Sequence, residues 1–153
     1  MFAVVRVRGT VNVNPDITKT LQLLRLTRVN HCVLLEENDV YKGMLQMVKD
    51  YTTWGEIDKE TLTKLITARG MLMGDKPVTA EYLKSSTSFD TIEKLSAAIL
   101  DQKATYKEIP DVKPLFRLNP PRQGYGTIKR SFVNGGTLGY RKKEINALIT
   151  RML

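Results

Sequence analysis

Three short apolar runs alternate with two stretches of helical periodicity in the first 58 residues. Short runs rich in β-branched residues are typical of strands, whereas apolar residues repeating every three or four positions indicate amphipathic helices. The predicted strands cover residues 2–8, 31–35 and 51–57. The predicted helices cover residues 15–29 and 40–50. This order restricts the chain to a small α+β module of the form β-α-β-α-β with a three-stranded sheet.

Individual residues in this module support local predictions. Asn14 followed by Pro15 is a typical helix start, because the side chain of Asn caps the first turn and Pro fits its first position. In the first strand Arg6 and Arg8 alternate with valines, which predicts one polar face. Gly55 in the third strand indicates a bulge. The second helix is expected to bury Met44, Met47 and Val48.

The middle of the chain changes to helical patterns. Asp58 is the predicted N-cap of a helix over 59–69 that ends at Gly70. A single helical turn capped by Thr79 and a helix from about 92 to 103 follow. Residues 104–114 contain two prolines and few apolar side chains, which predicts a linker.

The last segment combines a Pro- and Gly-rich stretch with a terminal helix. The stretch reads F-R-L-N-P-P-R-Q-G-Y-G over 116–126, and N-G-G at 134–136 is a turn signal. The terminal helix is expected to bury Ile145, Leu148, Ile149 and Met152. We therefore predict three parts, which are a β-α-β-α-β core module at 1–58, a helical insertion with linker at 59–114, and a basic extension with a terminal helix at 115–153.

The positive charge of the chain is concentrated near its C-terminal end. The net charge is +8, yet residues 1–58 are neutral and residues 59–114 carry +1. Residues 115–153 carry +7, with Glu144 as the one acidic residue. A localised basic segment favours a polyanionic partner, with RNA or DNA ahead of an acidic membrane surface.

The sequence argues against catalysis, cofactor binding and metal binding. His31 is the one histidine and Cys32 the one cysteine, and adjacent strand residues point to opposite faces, so the two do not form a nucleophile–base pair. A single histidine and a single cysteine are also too few for a Cys/His zinc site, which needs three or four such ligands. The acidic residues at 36, 37 and 39 fit a solvated turn, and neither nucleotide-binding glycine motif is present. The sequence contains no run of 18 apolar residues, so no membrane span is predicted.

The C-terminal segment has features that suit phosphate and bases. Glycines at 135, 136 and 139 precede a helix whose start carries Arg141, Lys142 and Lys143, a combination that favours phosphate. Two prolines hold 116–126 extended, where Arg117 and Arg122 offer planar forks for phosphate. In the same stretch the ring of Tyr125 offers a stacking face for a base. The side chains expected in the core instead are Trp54, Phe116 and Phe132.

Two blocks of the sequence resemble a known family. The segments T-L-Q-L-L-R-L-T-R-V-N-H-C-V (20–33), V-Y-K-G-M-L (40–45) and Y-T-T-W-G-E-I (51–57) resemble universal large-subunit ribosomal protein thirty. The segments F-R-L-N-P-P-R (116–122), G-G-T-L-G-Y-R (135–141) and I-N-A-L-I-T-R-M (145–152) resemble its longer archaeal and eukaryotic branch, the ribosomal protein L-seven relatives. Tyr140 stands where eukaryotic members usually have asparagine. The start of the chain at the first strand looks archaeal.

The resemblance implies a fold and a role. It implies a ferredoxin-like sheet and a non-enzymatic, cytoplasmic constituent of the large ribosomal subunit. The implied partners are large-subunit ribosomal RNA and neighbouring ribosomal proteins, with no membrane and no small-molecule substrate. The candidate RNA-binding residues are Arg25, Arg28, Asn30, His31, Lys42, Arg117, Arg122, Tyr125, Lys129, Arg130, Arg141, Lys142 and Lys143, with Gly43 beside Lys42 as a secondary candidate. The alternatives are a stand-alone RNA- or DNA-binding regulator on the same module and a nucleotide-directed enzyme.

Overall fold

A computed structural model describes residues 1–87 and 89–153. In this part of the chain the fold is α+β, as predicted. The strands are β1 (Phe2–Arg6), β2 (His31–Leu35), β3 (Thr52–Glu56), β4 (Phe116–Arg117) and β5 (Gly139–Tyr140). The α-helices are α1 (Pro15–Leu23), α2 (Asp39–Met47), α3 (Lys59–Arg69), α4 (Ala80–Ser86), α5 (Ile92–Leu100) and α6 (Ile145–Met152).

The strands form one sheet in the order β4-β2-β1-β3-β5. The central strand β1 is antiparallel to both neighbours, with Val4 opposite Val33 on one side and Trp54 on the other. At the edges, β4 is antiparallel to β2 and β5 is parallel to β3. The prediction of three strands is therefore incomplete, because the C-terminal segment adds a two-residue strand to each edge. Strands this short carry no periodicity that a sequence pattern could reveal.

Helices cover both faces of the sheet. Together with the turn after α1, the helices α1 and α2 bury one face around Phe2, Val4 and Trp54. Helices α3, α5 and α6 bury the other face, and Ala3, Val5 and Cys32 pack there against residues of all three. This second core joins side chains from all three predicted parts of the chain, since Ala3, Leu62 and Ile149 lie in it together.

The polar face predicted for β1 is absent. All five residues of β1 are buried, and the side chain of Arg6 is only 2% exposed. Arg6 points to the face covered by α1 and α2, where the turn after α1 closes over it. Its guanidinium donates there to main-chain carbonyls instead of water.

Several predicted elements are confirmed and others are shorter. The predicted bounds of β2 and α3 match the structure, and the buried stripe of α6 is present. Helix α1 ends at Leu23 because Arg25 adopts a left-handed φ of 60°. Helix α2 ends at Met47, whose side chain is 54% exposed rather than buried. Val48 is buried as expected, and Met44 is partly buried.

Residues 104–114 form part of the core rather than a linker. They contain a 3₁₀ turn at Tyr106–Glu108, and Tyr106, Ile109 and Val112 are buried. The ring of Tyr106 stacks on Phe116 of β4 with 4.9 Å between centroids. Three buried apolar side chains, spaced three residues apart, are enough to attach this segment, but the two prolines and the polar residues around them obscure this signal in the sequence.

Gly55 lies in regular register opposite Ala3, so the predicted bulge is absent. The glycine has a packing role instead, because a Cβ there would overlap the carbonyl oxygen of Lys142. Lys142 belongs to a 3₁₀ turn, Lys142–Glu144, that leads into α6. The missing side chain therefore lets this turn lie directly against β3.

Candidate nucleic-acid interface

The turn that follows α1 exposes two arginines at one end of the sheet. Arg25 and Asn30 both adopt left-handed φ values, of 60° and 65°. Between them Leu26 is fully buried and anchors the turn. The N–H of Asn30 donates to the carbonyl of Arg6 at 2.8 Å, which returns the chain to the sheet at β2. Arg25 and Arg28 are left facing solvent.

The C-terminal segment packs against the same turn. The Leu118 N–H donates to the Asn30 carbonyl at 3.1 Å, and the Tyr125 hydroxyl donates to Asn30 Oδ1 at 2.6 Å. Arg117 lies opposite His31 in the sheet register. Segments about ninety residues apart in the chain therefore meet at Asn30.

Helix α6 completes this surface through its last turn. The Arg122 N–H donates to the Arg151 carbonyl at 3.0 Å, and Arg151 Nη2 donates to the Gly124 carbonyl at 2.7 Å. The side chains of Arg122 and Arg151 are exposed. We call the resulting surface the basic end, and its exposed cations are Arg25, Arg28, Arg117, Arg122 and Arg151.

The cations of the basic end differ in their pairing. Arg117 Nη1 lies 3.4 Å from Asp75 Oδ1. Asp75 also pairs with Lys113. The hydrogen bond and the charge of Lys113 hold the pKa of the Asp75 carboxyl below its ordinary value, and Arg117 makes a smaller contribution. The other four arginines take part in no ion pair among the residues that the structure describes. Their charge is available for a polyanion.

His31 lies beneath the basic end and is only 8% exposed. Burial lowers its pKa from the ordinary 6.5, and the nearby positive charge of Arg117 lowers it further, with smaller effects from Arg28 and Arg6. A neutral ring is therefore favoured at neutral pH. His31 contributes packing below the surface, and its charge is not presented to a ligand.

The low pKa of His31 predicts a stability loss in mild acid. The folded chain binds the imidazole proton less readily than the unfolded chain, so stability is fully present above pH 6.5 and decreases as the pH falls below it. One proton contributes a slope of at most about 1.4 kcal/mol per pH unit. Urea unfolding at several pH values should show this loss, and His31→Gln should remove it. An identical pH dependence in the variant would contradict the assignment.

Arg141 is only 7% exposed and is bonded within the fold. Its Nε donates to Thr53 Oγ1 at 2.8 Å, and its Nη2 donates to the Thr137 carbonyl at 2.8 Å. Its guanidinium also lies over the ring of Phe132, 4.9 Å from the centroid. Phe132 was expected in the core but is only partly buried. These contacts occupy two of the five guanidinium donors and bury a group that the sequence predicts to bind phosphate.

The other C-terminal candidates lie on two separate loops. Lys129 and Arg130 are exposed on the loop 126–138, which closes through N–H groups of Thr137 and Leu138 on the Arg130 carbonyl at 3.1 and 3.2 Å. Lys142 and Lys143 are exposed on the 3₁₀ turn beside β3, at the opposite edge of the sheet from β4. The structure therefore does not gather all the predicted cations on one surface.

Three further candidates, Tyr125, Lys42 and Gly43, differ in their accessibility. Tyr125 is half-buried and its hydroxyl is bonded to Asn30, which leaves only part of the ring accessible for stacking. Burial raises the pKa of Tyr125. Lys42 and Gly43 are exposed on α2, in the helical layer, where Lys42 Nζ lies 3.6 Å from Asp39 Oδ1.

Sequence reasoning missed two arginines. Arg151 is exposed at the basic end, and the charge count of the C-terminal segment already included it. Arg6 is buried below the turn, and the signal for it was a single arginine within the otherwise apolar strand F-A-V-V-R. A buried charge needs hydrogen-bond partners, so such a residue indicates a polar cluster in the fold.

Other kinds of site find no support in the described residues. No group of three His, Cys, Asp or Glu side chains that could hold a metal ion lies among them. Cys32 is fully buried, and burial raises the pKa of its thiol to about 12. Within residues 1–87 and 89–153, no helix has the length and apolar character needed to cross a bilayer.

Comparisons with known proteins agree with the motifs. The profile of the family described as "Ribosomal protein L30p/L7e" matches residues 2–52. The chain is 48% identical over 153 residues to "Large ribosomal subunit protein uL30" of Methanosphaera stadtmanae, covering 100% of both chains. It is 52% identical over 153 residues to the protein of that name from Thermoplasma volcanium, covering 100% of this chain and 93% of the relative. The chain therefore belongs to the L30p/L7e family of ribosomal proteins.

Proposed function

We propose that this protein is a structural constituent of the large ribosomal subunit in the cytoplasm and binds large-subunit ribosomal RNA through the basic end. The relatives carry the name of a large-subunit protein, which supports this assembly. As a member of a family of ribosomal proteins, the chain is a structural protein and not an enzyme. Neighbouring ribosomal proteins are its expected protein partners.

The observation that carries the proposal is the convergence of two distant segments at Asn30. Its carbonyl and side chain bond to Leu118 and Tyr125. This contact sets Arg25 and Arg28 beside the segment that carries Arg117 and Arg122. Arginine forks on a rigid surface suit phosphate oxygens, because each fork can donate two parallel hydrogen bonds.

The remaining exposed cations extend the interaction beyond the basic end. Lys129 and Arg130 lie on the loop 126–138, and Lys142 and Lys143 lie beside β3. Each pair is accessible, and the positive charge of the last segment is shared among these three places. We expect RNA to contact more than one of them, since phosphate contacts from several basic side chains fix the position of a protein on nucleic acid.

The proposal is tested by the double variant Arg25→Gln/Arg28→Gln. Each lost phosphate contact lowers the slope of log affinity against log salt by about 0.7–0.9, so a decrease of about 1.4–1.8 is expected. The measurement is filter binding of the full chain to large-subunit RNA at a series of salt concentrations. The control is Lys59→Gln/Lys84→Gln, which removes the same charge from exposed positions on α3 and α4.

Two outcomes would contradict the proposal. An equal decrease in slope for both double variants would mean that net charge, and not the basic end, drives binding. A protein that is found only in RNA-free fractions of cell extracts, and never with the large subunit in moderate salt, would exclude the assembly itself.

A further inference from the structure

Arg6 is a buried cation whose hydrogen-bond acceptors are all main-chain carbonyls. Its Nε donates to Arg8 at 2.9 Å, and its Nη2 donates to Gly9 at 3.1 Å. Its Nη1 donates to Leu26 at 2.7 Å and to Thr27 at 3.0 Å. No carboxylate pairs with it among the described residues. A buried arginine bonded only to backbone acts as a connector between chain segments.

The two connected segments are the end of β1 and the turn after α1. Arg8 and Gly9 follow β1, whereas Leu26 and Thr27 lie inside the turn. That turn contains two residues in the left-handed region, Arg25 and Asn30. Asparagine adopts this conformation readily, but for arginine it is costly and persists only where the surroundings hold it. Two of the four Arg6 bonds end between Arg25 and Asn30.

We propose that Arg6 is a positioning residue for RNA binding, which holds the turn so that Arg25 and Arg28 project from the basic end in fixed directions. The inference rests on the proposed function, because it concerns the same surface. Arg6 itself is buried and does not contact RNA. A planar guanidinium is required, since a lysine keeps the charge but cannot reach four carbonyls in two segments with one fork of donors.

The test compares Arg6→Gln with Arg8→Gln. Arg8 is the matched control because it is the next arginine in the chain and is only partly buried. Its side chain donates to the main-chain carbonyl of Asp50 and not to the turn. RNA affinity is measured against salt with the concentration of folded protein determined by circular dichroism. Arg6→Gln is expected to lower the slope by about 1.4–1.8, the value for two lost contacts, and Arg8→Gln by at most about 0.9.

Two further variants show whether Arg6 acts through the turn. Arg6→Gln added to Arg25→Gln/Arg28→Gln should lower the slope no further, because the cations that Arg6 positions are already gone. Arg6→Lys covers the case in which Arg6→Gln does not fold. It keeps the charge, so a lowered slope in this variant, with faster amide hydrogen exchange at Thr27 and Arg28, supports positioning by the fork.

The outcomes separate this inference from the proposed function. If the wild-type chain binds RNA with a steep salt dependence and the folded fractions of Arg6→Gln and Arg6→Lys keep that slope, Arg6 is a purely structural residue and the inference is overturned. An additive effect in the triple variant would also overturn it. If the wild-type chain itself shows no salt-dependent binding, the proposed function fails first.

Discussion

Replacing Gly55 with alanine is expected to lower the free energy of unfolding by about 3 kcal/mol or more. The new Cβ would overlap the carbonyl oxygen of Lys142 and lie 2.9 Å from its carbonyl carbon. These are backbone atoms, so no rotamer change can relieve the overlap. β3 and the 3₁₀ turn before α6 would have to separate.

Such a separation would disturb contacts on both sides of Gly55. Asn146 Nδ2 donates to the Glu56 carbonyl at 3.0 Å, and Ile145 packs in the core one residue after the 3₁₀ turn. The loss should appear as a decrease of about 6–12 °C in the melting temperature, measured by calorimetry or circular dichroism.

Gly43→Ala is the matched control for this prediction. Gly43 lies in the middle of α2, and a Cβ there would meet no atom within 4 Å. Alanine is a better helix former than glycine, so this variant should be more stable than the wild type by about 0.5–1 kcal/mol. A Gly55→Ala variant as stable as the wild type would mean that the turn does not lie against β3.

Replacing Arg141 with alanine is expected to lower the free energy of unfolding by about 3 kcal/mol. The variant loses a hydrogen bond from a charged group to Thr53 and leaves the buried Thr137 carbonyl without its donor, and each change is worth about 1–3 kcal/mol. It also loses the contact of the guanidinium with Phe132. The effect should be visible in urea unfolding as a lower midpoint with an unchanged slope.

Lys143 offers the contrast that separates stability from RNA binding. It is exposed and two residues away, so Lys143→Gln should change stability by less than about 0.5 kcal/mol. It should instead lower the salt slope of RNA binding by about 0.7–0.9 if the residue contacts phosphate. The reverse pattern, a stable Arg141→Ala with a flattened salt slope, would show that Arg141 faces RNA directly.

Much of the module could be predicted because its signals are local. The apolar run at 31–35 and the helical spacing at 59–69 gave the observed bounds of β2 and α3. The end of α1 lies earlier than predicted because of a backbone conformation that residue type does not indicate. Arginine favours helices, yet Arg25 adopts a positive φ and the helix ends at Leu23, six residues before the predicted end at Val29.

The candidate site was predicted only in part, because charge and motifs are local signals that do not show which side chains are buried. Charge counting located the basic C-terminal segment, and motif resemblance added Arg25 and Arg28. Neither approach could tell that Arg141 is buried while Lys142 and Lys143 are exposed. Three adjacent cations carry identical charge in the sequence, and their surroundings depend on which segments pack over them.

The sequence by itself determined the central strands, the main helices, the buried stripe of α6 and the family, because each depends on residue types within a short window. Only the tertiary structure decided the two edge strands, the burial of Arg6 and the meeting of the turn with the C-terminal segment. Tyr125 is 95 residues from its partner Asn30, and Arg141 is 88 residues from Thr53. Desolvation and hydrogen bonding at such positions depend on segments that are distant in the chain, and no local pattern encodes that proximity.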